Sequence, residues 1–247
     1  MCSSDLQLFI DGVKAIARDA SVTVLKPEVL GYTGSDEWFG VAIHEKSFDD
    51  AALGRLADLY GERIGGLYLE YTGVTDAGLA HLGMFPGLRA LEIRSDDSWP
   101  GGKTRTITDA GMAHLKGLAR LRSLNVSYSA VTDAGLESIV ALPALKSLYL
   151  GYTGVKGTGL RKLESLPRLS TLSLDGCKMD AEGFKALAEA TGLRSLSLNR
   201  VVLTPESLPL LASIVGLREL DLTGCGVPDS EVAALKKSNP GLRVERR

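Results

Sequence analysis

The stretch Leu121-Arg122-Ser123-Leu124-Asn125-Val126, followed by Val131-Thr132-Asp133-Ala134-Gly135-Leu136-Glu137-Ser138-Ile139, decides the fold. Its first half places apolar residues at every second position, so Leu124 and Val126 point to one side of a strand and their neighbours to the other. In the second half Thr132 is a helix N-cap, Asp133 is an acid in the first turn, and Leu136 and Ile139 are an apolar pair three residues apart. The unit is therefore a strand, a turn and a short helix.

The same unit recurs along the chain. Leu121, Leu145, Leu169, Leu193 and Leu217 are each 24 residues apart, Ile64 precedes Leu88 by 24, and Leu242 follows Leu217 by 25. The helix half returns from Val74, Ile107, Val155, Met179, Leu203 and Val227. A repeat of this length in one register signals a solenoid, because no single unit can bury its own apolar stripe. The strands form a parallel sheet on a concave face, and the wider helices form the convex face. Eight or nine strands are expected, with Leu148, Leu150, Leu172 and Leu174 fully buried. Gly78, Gly111, Gly135, Gly159 and Gly183 share one helix position. Glycine is costly there, so that position is expected to approach the backbone of the neighbouring unit. Pro86, Pro143 and Pro167 end helices before the next strand.

The repeats divide the chain. Val41 to Ile43 and Phe48 to Leu56 make 39–63 a degenerate first repeat; seven repeats fill 64–241, and 242–247 is a terminal half-repeat. Residues 6–38, with a helical spacing from Leu8 to Ala17 and a strand-like Val22-Thr23-Val24, are read as an N-terminal cap. Met1 to Leu6 reads like a translated sequencing adapter, so 1–5 are expected to be non-native and the source a bacterial, environmental sequence cut at its start. That opening has no apolar core and is not a signal peptide.

The 247 residues carry a net charge of −2, which gives no electrostatic reason to expect a nucleic-acid partner. Apolar residues form 45% of the chain, yet no unbroken run is long enough for a membrane helix. Neither nucleic acid nor membrane insertion of this segment is expected.

The Val-Thr-Asp-Ala-Gly-Leu units, with Cys177 and Cys225 after their strands, resemble the cysteine-containing, ribonuclease-inhibitor-like leucine-rich repeats. The bacterial, planctomycete-type arrays of Thr-Asp-Ala-Gly-Leu-Ala-His-Leu units are the nearest kind, and Gly78 to Leu82 and Gly111 to Leu115 match their helix half. The resemblance covers about residues 40–247. It implies an α/β fold, a right-handed horseshoe arc, and a role in protein–protein interaction. It does not imply a partner. Ser207 and Glu231 replace the glycine in the last two full repeats.

Chemistry is sparse. His81 and His114 share a helix position with Ser138 and Lys162, which reads as a solvated face without catalytic partners or metal-ligand spacing. Gly101-Gly102-Lys103-Thr104 resembles the end of a phosphate loop, but Asp97 stands where that loop needs a glycine. No catalytic residue, metal or cofactor is expected. Cys177 and Cys225 lie two repeats apart, roughly 10 Å at normal strand spacing, beyond the roughly 7 Å reach of a disulfide. Two free thiols point to a reducing, cytoplasmic compartment.

Aromatics carry the binding signal. Tyr71, Tyr128 and Tyr152 share one register after the strands, Tyr68 and Tyr149 lie mid-strand, and Arg94 falls between them. The repeat from Leu88 to Leu121 is 33 residues long, and its surplus forms a polar loop, 95–105, containing Trp99. Trp, Tyr and Arg dominate binding hot spots, so Tyr68, Tyr71, Arg94, Trp99, Tyr128, Tyr149 and Tyr152 are the candidate partner site. Beyond Tyr152 the register reads Gly176, Arg200 and Gly224. Filler would have no reason to stop there, whereas a site of finite size would. The alternative is that the tyrosines only stack on one another. The expected function is a non-catalytic protein- or peptide-binding scaffold. The other class is a regulatory or substrate-recruiting segment of a larger enzyme, of ubiquitin-ligase or kinase-associated type.

Overall fold

The computed structural model describes residues 3–17, 22–26, 38–94, 106–190 and 192–246. Ten strands form one sheet in chain order. The first, β1 (Val22–Leu25), runs antiparallel to β2 (Phe39–Ile43). From β2 onward, through β3 (Ile64–Glu70), β4 (Ala90–Arg94), β5 (Ser123–Asn125), β6 (Ser147–Tyr149), β7 (Thr171–Ser173), β8 (Ser195–Ser197), β9 (Glu219–Asp221) and β10 (Arg243–Glu245), every pairing is parallel. The expected parallel sheet of eight or nine strands is thus nine, with an antiparallel strand added at its start. The helix α1 (Ser3–Ala17) packs on α2 (Asp50–Tyr60), and Phe9 and Val13 join the common core.

Apolar anchors of successive strands pair directly: Leu67, Leu91, Leu124, Leu148, Leu172, Leu196, Leu220 and Val244 form one row. This row sets Val244 opposite Leu220, 24 residues away. Leu242 therefore stands one residue out of the column that the 25-residue spacing suggested. Leu148, Leu150 and Leu174 are wholly buried and Leu172 is nearly so, as an inner layer flanked on both sides requires.

The helix halves are shorter and tighter than the sequence suggests. In the repeats from 64 to 166 they are 3-10 turns or single α-turns, as in Gly78–Met84, Leu136–Ile139 and Thr158–Ser165. Longer α-helices flank this stretch: α2 precedes it, and α3 (Ala181–Glu189), α4 (Ser207–Ala212) and α5 (Asp229–Ser238) follow it. The threonines cap as expected, with the hydroxyls of Thr75, Thr108 and Thr132 accepting from the amides of Ala77, Ala110 and Ala134.

The aspartate of the motif has a further task. Asp50 accepts from both the amide and the hydroxyl of Thr75, at 2.7 and 2.6 Å. Asp76 does the same for Thr108, and Asp109 for Thr132. Asp133 continues the series onto the amide of Gly157 and the hydroxyl of Thr158. Each acid thus staples its repeat to the next with charge-assisted bonds. This explains the costly glycine. A Cβ at Gly78, Gly111 or Gly135 would overlap the stapling carboxylate of Asp50, Asp76 or Asp109. The close approach expected at this position is therefore made by a side chain in those three repeats. It is made by backbone only at Gly159 and Gly183, against Asp133 and Lys156.

Candidate concave-face binding site

Tyr68, Glu92, Asn125 and Tyr149 stand opposite one another on β3 to β6. Their flanking anchors are buried while they are half-buried, so they face away from the core. Three strand steps separate Tyr68 from Tyr149, about 14 Å at normal spacing. Between them opens a groove of about 480 Å³, lined also by Arg89, Arg122, Ser123, Lys146 and Ser147.

At the C-terminal ends of the same strands lies an ionic network. Arg94 reaches Glu70 at 3.5 Å and Glu92 at 3.4 Å, His44 lies 3.2 Å from Glu70, and Asn125 donates to Glu92. Burial, with the nearby Glu70 charge, pushes the Glu92 carboxyl above its usual range against the pull of Arg94.

The remaining candidates sit in the turns. Tyr128 and Tyr152 stack in parallel with centroids 4.6 Å apart, and the Arg94 guanidinium lies 5.8 Å from the Tyr128 ring. Tyr71, Tyr128 and Tyr152 all have positive φ, at 56°, 64° and 57°. The left-handed region costs a non-glycine residue about 1–2 kcal/mol. Gly176 and Gly224 occupy the same register with φ of 63° and 73°, so the turn itself favours glycine. A Cβ at Gly176 would also strike the Tyr152 ring. The Tyr152 ring thus crowds a side chain at Gly176. Arg200, with φ of 57°, nonetheless puts a bulky side chain back into the register one repeat on. The turn alone therefore does not account for where the aromatic series stops, and the reading of the tyrosines as a site of finite size stands as the sequence left it. The stacking of Tyr128 on Tyr152 is the arrangement which that reading named as the alternative.

Trp99 and its loop, with Gly101 to Thr104, lie outside the described residues. The others fall into two groups: Tyr68 and Tyr149 in the groove, and Arg94, Tyr128 and Tyr152 at the strand ends, with the Tyr71 amide bonded to the Arg94 carbonyl.

A leucine-rich repeat family model matches residues 120–140. No curated protein matches the chain. Among solved structures, an internalin C2 from Listeria monocytogenes is similar over 97% of this chain and 92% of its own, with 18% identity and a TM-score of 0.59. The fold is a leucine-rich repeat solenoid.

In this solenoid the cysteines are structural. The Cys177 and Cys225 thiols donate to the carbonyls of Leu150 and Leu198 in the preceding repeats, and Thr153 bonds Leu150 alongside. Burial pushes both thiols up, away from the reactive thiolate form. His81 is not on a purely solvated face, because its ring lies against Gly54 of α2, and the equivalent Ser138 is buried. Among the described residues no cluster of three or more His, Cys, Asp or Glu could hold a metal, and no helix is long and apolar enough to cross a membrane.

Sequence reasoning missed half of the groove. Arg89, Arg122 and Lys146 each follow a strand's first leucine, so tabulating the column after Leu88, Leu121 and Leu145 would have exposed them. Trp38 was missed too: its ring lies 3.6 Å from the Arg89 guanidinium and covers Gly65 and Gly87.

Proposed function

We propose that this solenoid is a non-catalytic protein- or peptide-binding scaffold whose partner seats on the N-terminal half of the concave face. The observation that carries the reading is the groove between Tyr68 and Tyr149, where two half-buried aromatics flank about 480 Å³ lined by polar and charged groups. Solenoid repeats present extended concave surfaces of this kind to partners, and rigid aromatics anchor interfaces at low entropic cost. The Tyr128–Tyr152 stack, held in a strained turn, supplies a second apolar contact beside it. Strain that a fold retains is a mark of functional positions. Trp99 and Tyr71 complete the proposed surface. The thiol-to-carbonyl turns support reading the repeats as the cysteine-containing kind.

The test is site-specific photo-crosslinking in source lysate. A crosslinkable residue at position 149 should capture a partner, and one at Val202, which is exposed on the far end of the stack, should not. Capture from 202 alone, or equally from both, overturns the location. Separate Trp99→Ala and Tyr128→Ala variants should stay folded and lose that partner. Unchanged binding by both removes those residues from the site.

A further inference from the structure

The N-terminal half of the concave face, from β3 to β6, is polarised along its strands. Its acids gather at the C-terminal strand ends, where Glu70 and Glu92 are engaged by Arg94, His44 and Asn125. Its cations gather at the N-terminal ends. Arg89, Arg122 and Lys146 occupy one column, one strand apart, and line the same wall of the groove. The side chains of Arg122 and Lys146 are exposed and make no ion pair among the described residues. The column is ordered at its start. The Trp38 ring lies under the Arg89 guanidinium at 3.6 Å and within 5.3 Å of Arg120, so two cations share one aromatic platform. Beyond Lys146 the column is broken by Ser170, where the groove ends, and it resumes outside the groove with Arg194 and Arg218.

Resting on the concave-face reading, we propose that the partner is recognised through an acidic peptide segment. Its carboxylates lie along the Arg122–Lys146 edge, and its apolar or aromatic side chains settle between Tyr68 and Tyr149. Arginine receives a carboxylate through two parallel N–H donors, and lysine meets one as a point charge. Charge of this pattern sets orientation and rate of encounter. A peptide is favoured over nucleic acid for two reasons. Within the groove the cationic run is only three residues, and Tyr68 and Tyr149 stand about 14 Å apart with Glu92 and Asn125 between them, which offers no stacking platform for consecutive bases. The net charge of −2 supplies no wider attractive field.

The experiment uses the whole chain and fluorescence anisotropy, with a labelled peptide of alternating glutamate and tyrosine as probe. The peptide should bind, and binding should weaken on raising the salt from low to physiological strength. An Arg122→Glu/Lys146→Glu variant, with unchanged circular dichroism and melting temperature, should lose about tenfold in affinity or more. Arg122→Gln/Lys146→Gln should fall between the two. Arg218→Glu/Arg243→Glu, the same charge change at the other end of the sheet, should leave binding within about twofold. The proposal is overturned if the peptide does not bind, if the groove double variant binds it as well as wild type, or if the distal double variant loses as much. It is also overturned if labelled oligothymidylate binds more tightly than the peptide and depends on the same residues. Crosslinking from position 149 that persists while the acidic peptide fails would sink the acidic partner and leave the concave-face site standing.

Discussion

At the scale of single residues the packing is unforgiving at the anchors and selective in the turns. Leu148 is fully enclosed between β5 and β7, so Leu148→Ala should cost about 2–5 kcal/mol by denaturant unfolding. A smaller loss would mean that the layer collapses around the gap. Gly176 combines a positive φ with contact from the Tyr152 ring. Gly176→Ala should therefore destabilise, and adding Tyr152→Ala should recover the steric part of the loss while leaving the backbone part. Additive losses in that double-mutant cycle would show that the ring does not press on this turn. Glu92 adds a pH dependence. Its folded pKa lies above the ordinary value because burial and Glu70 disfavour the charge. Its contribution to stability is therefore complete below the ordinary carboxylate pKa and is lost as pH rises through the folded one. Glu92→Gln keeps an acceptor for Asn125, so its stability relative to wild type should be greatest at neutral pH and shrink on acidification. A difference independent of pH would mean that Glu92 is not strained by its charge.

At the scale of the element, the strands were legible in the sequence and the helices only in outline. Leu-x-x-Leu-x-Leu fixes which face is buried, and the pairing row from Leu67 to Leu220 follows it without exception. The shortness of the helix halves was not legible. Thr-Asp-Ala-Gly reads as an ordinary capped helix start, and the bond from Asp109 to Thr132 spans 23 residues that no local pattern connects. The same blindness hid the basic column, since Arg122 and Lys146 look like solvated charges until the strands stand side by side. Conversely, the tyrosine register was visible, but its left-handed backbone was not. A run of Tyr, Tyr, Gly, Arg, Gly at one position signals positive φ only once the turn is known. The staple itself is testable. Asp109→Asn removes the charge from two bonds to Thr132 and should cost about 1–3 kcal/mol. Asp109→Ala/Gly135→Ala should cost less than the sum of its parts, because the new methyl group enters space that the carboxylate has vacated. Full additivity would show that the glycine is there for another reason.

At the scale of the molecule, the staples make the two halves of the solenoid unequal. Stability in a repeat stack is a sum of unit terms and nearest-neighbour interfaces. Interfaces from Asp50 to Thr158 each carry an aspartate bridging to the next repeat. After that the helix-start staple ends: Asp180 caps its own helix through the Gly183 amide, and Ser207 bonds within its own turn. Asp175 makes an aspartate bridge of another kind, to the Ser197 hydroxyl and the Asn199 amide, and among the described residues of the last two full repeats no aspartate staples the next helix start. The ends differ as well. The first repeat is covered by α1 and by the antiparallel strand β1, whose Val22 is buried. The last strand, β10, is three residues long, and its anchor Val244 is only half-buried. Opening should therefore start at the C-terminus and move inward, and native-state hydrogen exchange should show it. The amides of Leu222 and Arg243, bonded between the last repeats, should exchange at a lower opening free energy than those of Val126 and Tyr128. A gradient of this sign would also hold the N-terminal half of the concave face rigid while the far end breathes. That rigidity is what a preorganised groove between Tyr68 and Tyr149 requires. Uniform protection across β4 to β10 would mean that the leucine layers alone set the cooperativity and that the staples add nothing to it.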